Sequence, residues 1–415
     1  MLELNLLEQI IADQRQNFEA KDPGIEREID FLKYQKTPQI TVISGIRRSG
    51  KSTLLKQFSG RFSPYYYLTF DDERLINFSV EDFATLMLAF SKVASAKAIF
   101  LDEIQNVSGW ERFVRRLHEE GYKIFITGSN AKLLSSELAT HLTGRYFKID
   151  LFPFSFREFL RFNAVNLGDK TTKTQALILK HFDDYLTHGG FPEYVKYKDK
   201  EFITRAYEDV IFKDIITRFK IRASTSFQQM ASYLFTNIGK EISYNSLKNI
   251  LDYKSVISVK KHVGYLAEAF LLFELYKYDY SLKKQFRSNK KIYAIDTGMR
   301  NEIAFSFSKD SGRLLENVIY IELKRRGQEV FYFKGKQECD FLVKEKNKIR
   351  FALQVTTVLT EDNTERELNG LVEATLSSGI NSALVITLNQ EKKIKRQGIH
   401  ITIIPAWKWL TSSTV

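Results

Sequence analysis

The stretch Gly45-Ile46-Arg47-Arg48-Ser49-Gly50-Lys51-Ser52, continued by Thr53, has the residue types and spacing of a loop that holds phosphate. Glycines let the backbone come close to an anion, and successive N–H groups at a helix start face it with the helix dipole behind them. In that arrangement Lys51 reaches the β- and γ-phosphates of a nucleotide and the Ser52 hydroxyl ligates Mg²⁺. A glycine-rich turn between a strand and a helix also arises by chance, so the remaining parts decide. The run "AIFLDEIQNV" ends in Asp102 and Glu103. Asp102 would hold Mg²⁺ through water, and Glu103 would polarise the water that attacks the γ-phosphate. A further run, "YKIFITGSN", ends in Thr127, Ser129 and Asn130, and Asn130 is the first candidate to orient that water. The expected cofactors are ATP and Mg²⁺.

These groups need a scaffold that brings them to one edge. Before the loop, "QITVISG" is a short apolar, β-branched run; after it, "KSTLLKQFSG" has helical apolar spacing closed by a glycine. "YYYLTFDD" and "YFKIDL" read as two more strands. Five strands with helices between them predict an α/β fold with a parallel sheet, in which ligands sit at the carboxyl ends of the strands.

Taken in order, "GIRRSGKST", "AIFLDEIQ", "FITGSN" and "HLTGRYFKIDLFPFSFREFL" resemble the bacterial and archaeal AAA+ type ATPases of the subgroup that ends in a poorly characterised restriction-endonuclease-like domain. The resemblance covers nearly the whole chain. It implies a P-loop NTPase with the AAA+ strand order, Glu103 as catalytic base and Asn130 as sensor. It also implies that Arg145, in a Gly-Arg pair that recurs there, supplies charge to a γ-phosphate in the same subunit or in a neighbour's. The plain alternative for Arg145 is an arginine pairing locally at the sheet edge. The side chains of Arg47 and Arg48 face either solvent or an acidic partner.

Four segments are expected. Residues 1–155 form the ATPase core, and residues 156–220, aromatic at helical spacing and broken at "HGGFPEY", form a helical lid. Residues 221–300 read as a winged helix, with Ser255 to Gly264 starting a recognition helix and Lys283 to Lys291 forming the wing. Lys260, Lys261, Arg287, Lys290 and Lys291 would then meet phosphates of DNA or RNA; otherwise the module only packs. In residues 310–415 a helix bearing Glu316, a strand bearing Glu338 and Asp340, and a further apolar run follow the layout of the restriction-endonuclease fold. Where that fold would carry Glu-x-Lys, this chain has Gln354-Val355-Thr356. A neutral amide is a poor Mg²⁺ ligand and threonine brings no positive charge, so a nuclease-like fold that has lost cleavage is expected.

Sixty-two Lys and Arg against fifty Asp and Glu give a net charge of +12, which suits a polyanionic partner or a lysine-rich solvated surface. The single cysteine, Cys339, excludes an intrachain disulfide. No apolar run reaches the roughly 18 residues that span a bilayer, so no membrane partner and a cytoplasmic location are expected. Partners would be ATP, DNA or RNA, a protein, or further copies of the chain. The resulting expectation is a Mg²⁺-dependent ATPase coupling nucleotide state to its C-terminal modules. Its rivals are a slow ATP-gated nucleic-acid binder, an ATP-dependent nuclease and a protein-remodelling ATPase.

Overall fold

The computed structural model describes residues 2–129, 142, 144–305 and 310–412, which fall into two units joined between Phe152 and Pro153.

In the first unit five apolar runs become strands: β1 (Ile40–Gly45), β2 (Tyr65–Thr69), β3 (Ala98–Asp102), β4 (Lys123–Ser129) and β5 (Tyr146–Leu151). All neighbours are parallel, in the order β2-β3-β4-β1-β5. Every residue of β1 and β3 is buried, as a parallel sheet covered by helices on both faces demands. The helix Leu4–Ala20 turns Leu7, Ile10, Ile11 and Phe18 inward, and the helix Lys51–Ser59 buries Leu54, Leu55 and Phe58 beside Phe100 and Phe125. Because the register pairs Gly45 with Ser129 and Thr69 with Asp102, the loop after β1 and the acids after β3 emerge at the same sheet edge.

The second unit begins with the helices Phe156–Phe162, Thr172–His188, Pro192–Tyr197 and Glu201–Asp209, the last running on through a π-helical stretch, Val210–Ile216. This is the segment expected as a lid. Its helix Thr172–His188 packs on Thr297–Ile303 and Ser311–Arg325 of the same unit. The break at "HGGFPEY" is a fitted turn: Gly189 has φ 73°, and a Cβ there would lie 2.0 Å from Asp296 Oδ1. The Asp296 carboxylate accepts the Gly190 N–H at 2.7 Å and the Met299 N–H at 3.1 Å, so the turn is tied to the start of the helix Thr297–Ile303.

Next come the helices Ser224–Thr236, Tyr244–Ile250 and Val256–Glu268 with a small antiparallel sheet of β6 (Glu241–Ile242), β7 (Leu272–Tyr276) and β8 (Lys290–Ala294), ordered β6-β8-β7. The expected recognition helix starts where the sequence places it, with the Ser255 side chain accepting the Ile257 N–H at 3.1 Å. The expected wing differs. Leu282–Arg287 is a helix, and the hairpin partner of β8 is β7. Leu, Lys, Gln and Arg are good helix formers, and the turn lets Gln285 face inward while its lysines face solvent.

The chain ends with the helix Ser311–Arg325, an antiparallel meander of β9 (Glu329–Lys334), β10 (Glu338–Glu345) and β11 (Lys348–Val355), and the helix Glu361–Ser377. Then follow β12 (Ser382–Thr387), parallel to β11, and the hairpin β13 (Lys392–Arg396) and β14 (Ile399–Pro405). The six strands lie in the order β13-β14-β12-β11-β10-β9. Among the described residues no helix is long and apolar enough to cross a membrane.

Candidate active site

Strand β1 delivers the phosphate-type loop. A Cβ on Gly45 would lie 2.2 Å from the Leu151 carbonyl oxygen of β5, so only glycine lets the chain leave the sheet at this point. Arg48 and Gly50 take left-handed φ angles of 63° and 95°, which turn the loop into the helix Lys51–Ser59. Lys51 is 6% exposed, and its Nζ lies 3.2 Å from the Gly45 carbonyl and 3.3 Å from that of Ile46. The ammonium is thus folded over the loop's own rim. Ser49 Oγ is buried with no hydrogen-bond partner among the described residues. A buried ammonium and an orphaned hydroxyl beside a left-handed loop fit a nucleotide's phosphates.

Asp102 ends β3 fully buried, and the Thr127 hydroxyl from β4 donates to its carboxyl. Ser52 opens the helix that follows the loop, and its hydroxyl is near enough to the same carboxyl to draw its pKa down. Burial first, then the neighbouring Glu103, push the Asp102 pKa up, while Thr127, Ser52 and Lys51 pull it down. The Ser52 hydroxyl and the Asp102 carboxyl are of the kind that suits Mg²⁺, which takes oxygen ligands and keeps several waters. Glu103 follows with φ 52°. Its N–H donates to Thr127 Oγ1 at 3.1 Å, and its carboxylate accepts a hydrogen bond from Gln105. One threonine hydroxyl therefore touches both acidic positions, a positioning role that its place at a strand end alone does not reveal.

Asn130, the expected sensor, lies outside the described residues. Arg145 is brought to a different place. Its carbonyl accepts the Ile40 N–H at 2.9 Å, at the amino end of β1, five residues along the strand from Gly45. At about 3.3 Å per residue that is about 17 Å from the loop, too far for Arg145 to serve the γ-phosphate of its own subunit. Its guanidinium lies 3.8 Å from Glu119. The local-pairing alternative and the action on a neighbour's site are what the geometry leaves.

A residue absent from the sequence reasoning completes the loop. Arg27 is 5% exposed; its Nη1 donates to the Ser49 carbonyl at 2.9 Å and its Nη2 to the Phe152 carbonyl at 2.6 Å. It clamps the loop to the end of the first unit's last strand. Only the acidic, turn-rich "DPGIEREID" around it signalled structure there.

In the second unit the basic residues expected to meet phosphates divide. Lys260, Lys261 and Arg287 are exposed. Lys290 and Lys291 are buried at 3% and 2% exposure, which corrects their assignment to phosphate contact. Lys290 Nζ donates to the Phe286 carbonyl at 2.6 Å and to that of Ser288. Lys291 Nζ lies 2.7 Å from Glu338 Oε1, 3.2 Å from Glu316 Oε1 and 3.5 Å from Asp340 Oδ1. Burial opposes its charge, but the three carboxylates outweigh it and hold the lysine pKa well above the usual range. Burial and Glu316 push the Asp340 carboxyl up to about 8 against the pull of Lys291.

Glu316, Glu338 and Asp340 are thus brought together, around an ammonium. Gln354 accepts the Asp340 N–H at 3.2 Å and donates to Glu367 Oε2 at 2.7 Å, so it is a buried spacer between two acids. Thr356 bonds the Val358 carbonyl at 3.3 Å and takes no part in the cluster. Among the described residues no group of three or more His, Cys, Asp or Glu stands at metal-holding spacing.

Comparison with known proteins gives residues 37–160 as a match to the AAA domain family and residues 179–310 as a match to a domain of unknown function. The uncharacterized protein MJ1544 of Methanocaldococcus jannaschii is 35% identical, over 97% of this chain and 95% of its own length. An uncharacterized protein of Haemophilus influenzae is 31% identical over 81% of this chain and 87% of its own. Among solved structures, the Walker-type ATPase PABY2304 of Pyrococcus abyssi aligns with 17% identity and a TM-score of 0.42, over 69% of this chain and 99% of that one.

Proposed function

The chain belongs to a prokaryotic family of AAA-domain proteins, P-loop ATPases, and from that premise we propose a Mg²⁺-dependent ATP hydrolase whose chemistry is divided among four side chains. The observation that carries the reading is that the Asp102 carboxyl, buried and bonded by Thr127, lies at the same sheet edge as the loop that holds the buried Lys51. Lys51 exchanges its two loop carbonyls for phosphate oxygens. Ser52 and Asp102 would hold the metal ion, which when bound would neutralise charge developing on the phosphates. Glu103, fixed through Thr127 and Gln105, orients and polarises the attacking water. Asn130 as sensor and Arg145 acting on a neighbour's nucleotide complete the proposal.

Lys51→Ala should lose nucleotide binding, whereas Glu103→Gln should keep it and lose turnover by at least about a hundredfold. Fluorescent-nucleotide titration and phosphate release measure the two. A Glu103→Gln protein that hydrolyses ATP at the normal rate would remove Glu103 from its role.

The three-helix module with its small sheet supports a winged-helix reading in which Lys260, Lys261 and Arg287 meet DNA or RNA. The tail would recognise rather than cut, since the acids suited to a metal are held on a lysine. A second reading has its own observation. Ile257 is 78% exposed, Leu282 66% and Phe286 64% in the same module, which suits a protein partner. ATPase rates with and without nucleic acid, and retention of a protein from lysate in high salt, separate the two.

A further inference from the structure

One face of the three-helix module carries charge of a single sign around exposed apolar side chains. Residues 255–267 and 280–291 contain no Asp or Glu. The first segment supplies Lys260 and Lys261, the second Lys283, Lys284 and Arg287, all exposed, and among the described residues none of the five has an ion pair. Ile257 stands one helical turn before Lys260 and Lys261, so the three share a face of the helix Val256–Glu268. Leu282 and Phe286 share a face of the helix Leu282–Arg287 by the same spacing. Both helices rest on one aromatic floor. The Phe286 ring stands edge-on to that of Tyr276, with centroids 6.1 Å apart, and the Phe286 carbonyl accepts the buried Lys290. Lys290 in turn lies 5.8 and 5.1 Å from the partly buried rings of Tyr244 and Tyr276. The helix Val256–Glu268 packs on β7, which carries Tyr276, and the charge of Lys260 is felt at Lys290.

Exposed apolar anchors within like charge call for a partner that answers both. A phosphate backbone uses the cations but has nothing for two aliphatic side chains such as Ile257 and Leu282. An interface between proteins buries aliphatic and aromatic anchors at its centre and sets charge at its rim. Unopposed positive charge on that rim attracts a negative partner and repels a basic one. We propose that this face docks an acidic amphipathic segment of another protein. Its apolar residues cover Ile257, Leu282 and Phe286, and its carboxylates meet the five cations. The inference rests on the second reading above, a protein partner for this module, and adds the chemistry of that partner.

The test pans random short peptides displayed on phage against the full chain, then measures the selected peptides, synthesised with a fluorescent label, by anisotropy. Selected sequences should be rich in Asp and Glu around apolar residues. Ile257→Ser/Phe286→Ser and Lys283→Glu/Lys284→Glu, both at exposed positions, should each weaken binding of these peptides at least about tenfold with the melting temperature unchanged. Peptides that are neutral or basic yet depend on Ile257 and Phe286 would overturn the acidic partner and leave the protein-partner reading standing. Peptides indifferent to both pairs of substitutions, or no selected peptide at all, would overturn the two together. An oligonucleotide, or vesicles of phosphatidylserine, bound in place of acidic peptides and lost in both variants would assign the face to nucleic acid or to a membrane and sink the proposal.

Discussion

Arg27→Ala tests whether the loop after β1 is held ready for phosphate by a residue outside it. The native guanidinium donates to the Ser49 and Phe152 carbonyls at 2.9 and 2.6 Å and is 5% exposed. Each bond to a charged group contributes about 1.5–3 kcal/mol, and two buried carbonyls lose their partner on truncation. Part of that loss falls on folding. The rest falls on binding, because nucleotide must then order Ser49 and Gly50 itself, and fixing one residue's backbone costs about 1–2 kcal/mol. Assigning about 2 kcal/mol to binding gives a roughly thirtyfold rise in Kd for ATP. Arg27→Lys, with one ammonium able to reach one carbonyl, should fall between. Fluorescent-nucleotide titration read beside a thermal melt decides it. A lowered melting temperature with Kd unchanged within about twofold would make Arg27 a folding residue and refute the clamp.

Asp296 is buried with its pKa pushed up to about 6, burial outweighing the backbone N–H groups it accepts. A folded-state value above the ordinary 3.8 means that its stabilising contribution is full below about pH 4 and lost as pH rises through about 6. The shift corresponds to about 3 kcal/mol. Chemical denaturation across pH 4–7 should show this slope and Asp296→Asn should remove it; an identical slope in both proteins would refute the assignment. Replacing Lys260, Lys261 and Arg287 together by alanine should reduce the salt slope of nucleic-acid binding by about 3, measured by anisotropy, while Lys290→Ala should leave it alone. If Arg145 serves a neighbour, Arg145→Ala and Lys51→Ala, each inactive alone, should regain ATPase activity on mixing; no regain leaves Arg145 to its local pairing with Glu119.

The first unit was legible because its signals are local. A strand buried on both faces is an unbroken apolar run, and the phosphate loop is eight consecutive residues whose spacing alone sets the position of Lys51 against Ser52. Asp102 and Glu103 could be placed because a strand's end places whatever follows it. Arg27 was not legible, since its partners lie 22 and 125 residues away and nothing in "EREID" names them. Thr127 was noticed only as one of three polar residues at a strand end, whereas its hydroxyl touches both Asp102 and Glu103. Arg145 shows the reverse case. Its motif is recognisable, but a residue just before a parallel strand must lie at the edge away from the ligand.

Lys290 and Lys291 explain why the basic stretch misled. Adjacent residues of a strand point to opposite faces, so in a strand buried on both sides two consecutive lysines need two separate solutions. A buried ammonium is costly unless paired or hydrogen-bonded. Lys290 finds backbone carbonyls at the end of the helix Leu282–Arg287, with the Tyr276 ring centroid 5.1 Å away. Lys291 finds the three acids. From the sequence both are indistinguishable from Lys283 and Lys284, which are exposed on the helix beside them. The basic pair in "KKIYA" therefore belongs to a strand whose charges are buried. Of the cations expected to meet phosphates, those that remain exposed lie on the helices Val256–Glu268 and Leu282–Arg287, so removing β8's lysines should alter stability and leave association untouched.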